Sequence, residues 1–101
     1  MDETSARATA ERILDEVAAP GTPLMIVDTG RREHRPWCHV FYWNSRRYVE
    51  TGDPMSFVAG NGPIIVPNDG APAFILPTYE DPNTLLDRYE SDPRSVRIVR
   101  P

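Results

Sequence analysis

Trp37-Cys38-His39-Val40-Phe41-Tyr42-Trp43 is the stretch that decides the fold. Successive side chains of a strand point to opposite faces. Trp37, His39, Phe41 and Trp43 are therefore predicted on one face, with Cys38, Val40 and Tyr42 on the other. Both faces are largely apolar. Such a strand belongs inside a sheet, or on a sheet covered on both sides.

Working outward, Asn44-Ser45 is a turn signal, and Arg46-Arg47-Tyr48-Val49 is predicted to pair back across it as the next strand. Thr51-Gly52-Asp53-Pro54 leaves the sheet, and Met55 to Ala59 has room for one helical turn. Gly60-Asn61-Gly62-Pro63 is a turn of residues that accept unusual backbone angles. Ile64-Ile65-Val66 is β-branched and apolar, hence a buried strand. Asn68-Asp69-Gly70 then turns the chain, with Gly70 free to take a positive φ, and Ala73 to Leu76 returns antiparallel. On the N-terminal side, Arg31 to Pro36 is a loop or the exposed end of a long hairpin. Leu24 to Val27, between Pro23 and Thr29-Gly30, is a short strand.

Helices close both ends. Over Thr4–Ala19, Ala6, Ala10, Ile13, Leu14 and Val17 recur at helical spacing, Thr4 or Ser5 can cap the start, and Pro20-Gly21 stops it. Over Pro82–Ser91, Asp81 is placed as cap and Pro82 as first helical residue, with Leu85, Leu86 and Tyr89 as the buried stripe. The expected fold is α+β: an N-terminal and a C-terminal helix packed on an antiparallel sheet of four to five strands. Residues 1–101 are expected to form a single domain, in which 94–101 is an edge strand or a loose tail.

Composition narrows the function classes. No stretch approaches the ~20 apolar residues that cross a bilayer, and the start, Met1-Asp2-Glu3, is acidic where a signal peptide is basic. One cysteine, Cys38, allows no internal disulfide. A cytoplasmic protein without a membrane partner is expected. Charge alternates in blocks: residues 1–30 hold six acids against two Arg (−4), and 31–47 five Arg against Glu33 (+4). Residues 48–92 hold eight acids against Arg88 (−7), and 93–101 hold three Arg (+3). The net charge is −4 and every basic residue is Arg. Nucleic-acid binding, which favours a net basic domain, is not expected. Arginine suits protein–protein contacts.

The candidate chemistries fail one by one. Cys38 and His39 are strand neighbours and point apart, so they make no thiol–imidazole pair, and nothing frames His34 as a base. One Cys and two His make no metal set. Glu50 and Asp53 are the nearest acidic pair, better explained as a hydrogen-bonded strand exit than as acid–base machinery. Gly60-Asn61-Gly62-Pro63 leads into a strand, not a helix N-terminus, so it is no phosphate loop. No catalysis, cofactor or metal is expected. Arg46 and Arg47 beside Phe41, Tyr42, Trp43 and Tyr48 do have the composition of a protein-binding hot spot.

One ordered set of motifs goes further. Phe41 to Asp53, with Tyr48-x-Glu50-Thr51-Gly52-Asp53, is followed by Ala59-Gly60-Asn61-Gly62-Pro63-Ile64-Ile65-Val66, the Asn68-Asp69-Gly70 turn, Pro77-Thr78 and a helix with Tyr89-Glu90. This order resembles the YrhB-domain family, or immunity protein 35 group. The matching positions include Trp37, Phe41, Trp43, Tyr48, Gly52, Gly60, Asn61, Gly62, Pro63, Gly70, Thr78 and Tyr89. Pro77-Thr78 departs from the family's usual Gly-Thr. The resemblance implies a small bacterial α+β protein without catalytic residues that neutralises a cognate toxin of a polymorphic toxin system by occlusion. A chaperone-like role, known for one branch, is the alternative; a small thiol-dependent enzyme is a more distant one. Arg32, Arg46, Arg47, Glu50 and Asp53 are the partner-facing candidates, since charge gives fast, selective association.

Overall fold

The strand Cys38–Ser45 lies inside a four-stranded antiparallel sheet, as its two apolar faces demand. The computed structural model describes residues 2–27, 35–59 and 62–100. Its elements are helix α1 (Glu3–Val17), strands β1 (Leu24–Val27) and β2 (Cys38–Ser45), helix α2 (Arg46–Thr51), strands β3 (Ile64–Pro67) and β4 (Phe74–Ile75), and helix α3 (Pro82–Ser91). Short 3-10 turns cover Pro54–Ser56 and Pro93–Ser95. The sheet order is β1-β2-β3-β4. β1 pairs with the second half of β2, Leu24 opposite Ser45 and Val27 opposite Tyr42. β3 pairs with the first half, Cys38 opposite Pro67 and Phe41 opposite Ile64.

Alternation along the strands builds two cores. Ile26, Phe41, Ile64 and Val66 face α1 and pack on Ala6, Ala10, Ile13 and Leu14. Cys38, Ile65, Phe74 and Leu76 face α3 and pack on Leu85, Leu86 and Val96. Burying a large apolar side chain in either layer contributes about 1.5–3 kcal/mol.

Asp81 caps α3, accepting from the Asn83 amide at 3.0 Å, and Pro82 opens it as expected. Leu85 and Leu86 are buried and Tyr89 half-buried. The cap of α1 is Asp2, not Thr4 or Ser5: its carboxylate accepts from the Ser5 amide at 2.8 Å. Val17, expected on the buried face, is exposed, because the helix ends there and Ala18 is already extended. Gly70 takes φ 84° in the turn between β3 and β4, which costs a residue with a Cβ about 1–2 kcal/mol. The tail is an edge attachment: Val99 makes a single antiparallel bridge to Ile75, and Val96 is buried.

Two further expectations are corrected. Arg46–Val49 is not a strand but most of α2. β1 takes one edge of Tyr42–Ser45, the side chains of Asn44 and Ser45 bind the 56–58 loop, and the Ser45 hydroxyl caps the Tyr48 amide, which starts a helix in place of a hairpin return. Trp37 does not share the face of Phe41 and Trp43. It precedes β2, in the turn closed by the Arg35–Cys38 bridge, and so escapes the strand's alternation. Its ring stacks on Tyr89 at 5.6 Å, and its indole N–H donates to Glu90 at 3.0 Å, on the α3 side.

Candidate partner-binding surface

Ser45 ends β2 and starts α2, and the same hydroxyl does both jobs that this needs. Buried at the junction, its Oγ accepts from the Tyr48 amide at 3.1 Å and donates to the Ser56 carbonyl at 2.5 Å. Asn44 beside it accepts from the amides of Ser45 (2.8 Å) and Val58 (2.9 Å) and donates to the Val58 carbonyl (3.2 Å). The side-chain amide thus stands in for a missing strand and pins the 56–58 loop to the sheet.

Thr51-Gly52-Asp53 closes the corner. Gly52, at φ 72°, ends α2 with its amide donating to the Tyr48 carbonyl at 2.8 Å. Thr51 Oγ1 donates to the Arg47 carbonyl at 2.6 Å and accepts from the Asp53 amide at 3.2 Å. Asp53 caps the next turn by accepting from the Met55 amide at 3.0 Å, and it accepts from Arg47 Nε at 3.1 Å. The Met55 amide first, then the Arg47 guanidinium, hold its carboxyl below the usual value. These bonds persist at neutral pH and weaken as pH falls through that lowered value.

The outcome is a fixed corner with an apolar face to water. Met55 is 90% exposed and Phe57 51%, its ring edge-on to Tyr48 at 4.9 Å. Arg46, Arg47 and Glu50 are exposed on α2 beside them. A cavity of about 320 Å³ opens between Pro23, Ser45, Arg47, Met55, Phe57 and Val58. Arg46, Arg47, Glu50 and Asp53 therefore fall together, whereas Arg32 lies outside the described residues. Arg47 and Asp53 are also each other's ion partners.

The remaining motif positions are spread through the fold. Trp43 donates its indole N–H to the Gly62 carbonyl at 2.8 Å, and the Pro63 carbonyl accepts from the Leu76 amide at 3.0 Å. Tyr89 bridges Trp37 and Phe74. Thr78 is exposed at a second cavity, and Gly60 and Asn61 lie outside the described residues.

Sequence reasoning missed two features. Met55 and Phe57 lie in a stretch read only as room for one helical turn, and the fold shows them exposed. Arg35 reads as one of a basic block, yet its guanidinium is mostly buried against α3. It pairs with Asp87 (2.6 Å) and Glu90 (2.5 Å) and donates to the Asn83 carbonyl at 3.0 Å. Part of the positive block is thus neutralised within the chain.

Cys38 and His39 point apart, Cys38 into the α3-side core and His39 stacked at 6.3 Å on Phe41. Burial pushes the Cys38 thiol up to about 12. Below the ordinary 9.0 the thiol is neutral whether folded or unfolded and burial costs nothing; as pH rises from 9 towards 12 only the unfolded chain ionises it, and the fold loses stability. Iodoacetamide at pH 8 is expected to leave Cys38 unlabelled in native protein and to label it in urea, read by intact mass. Rapid native labelling would contradict the burial. Among the described residues no three His, Cys, Asp or Glu side chains gather as a metal site, and no helix is long and apolar enough to cross a membrane.

A fixed corner that holds apolar side chains in water is suited to binding. The model of the family described as immunity protein 35 matches residues 4–92. No curated protein and no solved structure matches the chain.

Proposed function

Because the chain belongs to the immunity protein 35 family, we propose that it is a non-catalytic cytoplasmic protein that binds a cognate toxin domain and neutralises it by occlusion. The observation that supports a binding role is the α2 corner, where Met55 and Phe57 stand in water on a backbone fixed by Asn44, Ser45 and Asp53. Exposed apolar side chains cost free energy unless a partner covers them. A rigid corner also loses little entropy on binding. Met55 and Phe57 act as anchors, while Arg46, Arg47, Glu50 and Arg32 steer the encounter. Asp53 contributes by shaping the corner.

The test starts from the neighbouring gene: where it encodes a secreted protein with a toxin-like C-terminal domain, that domain is co-expressed with this chain. The wild type is expected to restore growth and to bind that domain tightly in calorimetry. The Met55→Ser/Phe57→Ser variant should bind about 100-fold more weakly, two anchors at the hot-spot threshold of ~2 kcal/mol each less some overlap. Alanine at Arg46, Arg47 and Glu50 should flatten the salt dependence of association. Growth rescue without any effect of these five substitutions would place the contact elsewhere. The exposed apolar pair also suits a chaperone-like binder, which would suppress aggregation of unrelated unfolded proteins and bind no single partner tightly.

A further inference from the structure

Among the described residues the large apolar side chains most exposed to water are Val17, Met55, Phe57, Tyr79 and Val99. Four of these five border two cavities that share one residue, Val58. The first is the corner cavity between Met55 and Phe57. The second, about 430 Å³, opens beside Trp43, Ile75, Tyr79 and Val99. Tyr79 is 54% exposed and Val99 53%. Scattered single apolar residues need no explanation, but four along one continuous surface mark an interaction site.

We propose that the partner contact of this protein extends from the α2 corner across Val58 onto a platform made by Trp43, Tyr79 and Val99, and that its occupant is an apolar face of the toxin domain that carries carboxylates where it meets residues 97–100. The proposal rests on the toxin-binding function argued above and adds where the partner sits and what it presents. Charge selects the occupant. Of all the residues lining the two cavities, Arg47 alone carries a charge. Arg97 and Arg100, exposed on the same strap as Val99, have no carboxylate partner among the described residues; Arg100 leans over the Phe74 ring at 5.9 Å. The corner end is balanced, Arg46 and Arg47 standing against Glu50 and Asp53, so the uncompensated charge at the rim is that of the strap, where arginine stands alone, the complement of an apolar patch with acids at that edge.

The strap that supplies Val99 lies beyond the residues 4–92 shared with the family. It is nonetheless built into the fold. Val96 is buried, and Val99 and Ile75 exchange two backbone hydrogen bonds of 2.8 and 2.9 Å. Val99 is therefore held out by a fixed backbone rather than by a frayed end. A residue outside the shared stretch, presented at the rim of a shared cavity, is well placed to distinguish one toxin from another.

The test uses the full chain and the toxin domain identified by the co-expression experiment above, by calorimetry and amide hydrogen exchange. Tyr79→Ser is the primary variant, since it removes an exposed side chain and leaves the strap's hydrogen bonds intact; Val99→Ser is the second, with melting curves checking both. Each is expected to weaken binding at least about tenfold, and the complex should protect amides at 75–79 and 97–100. Wild-type binding that neither variant changes would overturn the platform while leaving toxin binding in place. Failure of the wild type to bind would remove the toxin-binding function and the platform with it. A wild-type dimer that Tyr79→Ser dissociates in sedimentation would assign the platform to a second copy of this chain and overturn the proposal.

Discussion

Gly62→Ala is expected to cost about 3 kcal/mol or more of folding stability. A Cβ at this position would lie 1.7 Å from the Leu76 carbonyl oxygen and 2.7 Å from its carbon. Where side chains can give way, overpacking costs about 1–3 kcal/mol. Here the obstacle is backbone and cannot rotate aside. The two segments are tied together, because the Leu76 amide donates to the Pro63 carbonyl and the Trp43 indole to the Gly62 carbonyl. Separating them strains both bonds. In urea, with a slope of about 1–2 kcal/mol per molar for a chain of this size, the midpoint should fall by roughly 2 M. Gly52→Ala is the comparison: nothing lies within 4 Å of its Cβ, so the cost should be only the ~1–2 kcal/mol of a left-handed residue. If the two substitutions cost the same, space is not what demands glycine at 62.

Asn44→Ala is expected to cost about 2–3 kcal/mol and to loosen the partner-facing corner at the same time. Its side chain serves three backbone groups, the amides of Ser45 and Val58 and the Val58 carbonyl. Each hydrogen bond contributes about 1 kcal/mol net, and a group left unpaired while shielded from water costs about 1–3 kcal/mol. Water entering the gap recovers part of this, which keeps the total near the lower sum. The local consequence is more specific than the global one. Amide exchange at residues 56–59 should accelerate more than exchange in β3 or α3, since the loop is released before the cores are. Uniform acceleration would mean that the loop unfolds only with the whole molecule.

Much of this fold is legible in the sequence where local chemistry and tertiary packing agree. Asp81-Pro82 marks the start of α3 to the residue, and Asn68-Asp69-Gly70 marks the turn between β3 and β4, because capping and positive φ are properties of the residues themselves. The alternation of β2 shows that both its faces are covered. α2 is not legible in the same way. Arg46-Arg47-Tyr48-Val49 suits a strand locally, and what works against one is tertiary: β1 pairs along Tyr42–Ser45, and the side chains of Asn44 and Ser45 are committed to the 56–58 loop. The signals of the helix, Ser45 before it and Gly52 after it, are present but read equally well as a turn.

The candidate surface divides along the same line. Arg46, Arg47, Glu50 and Asp53 are neighbours in sequence and remain neighbours in space. Met55 and Phe57 were invisible as surface residues, because an apolar side chain carries no mark of which side of the loop it takes. Arg35 is the reverse case: a charge that appears free in sequence is held by Asp87 and Glu90, more than fifty residues on.

The placement of the two tryptophans, one on each side of the sheet, makes the protein its own optical probe. Trp37 is stacked on Tyr89 and bonded to Glu90 of α3, whereas Trp43 packs against the α1 core and is bonded to Gly62. With either indole replaced by Phe, the remaining emission reports one layer alone. Trp43, which also borders the cavity beside Tyr79, would then signal an arriving partner while Trp37 stays silent.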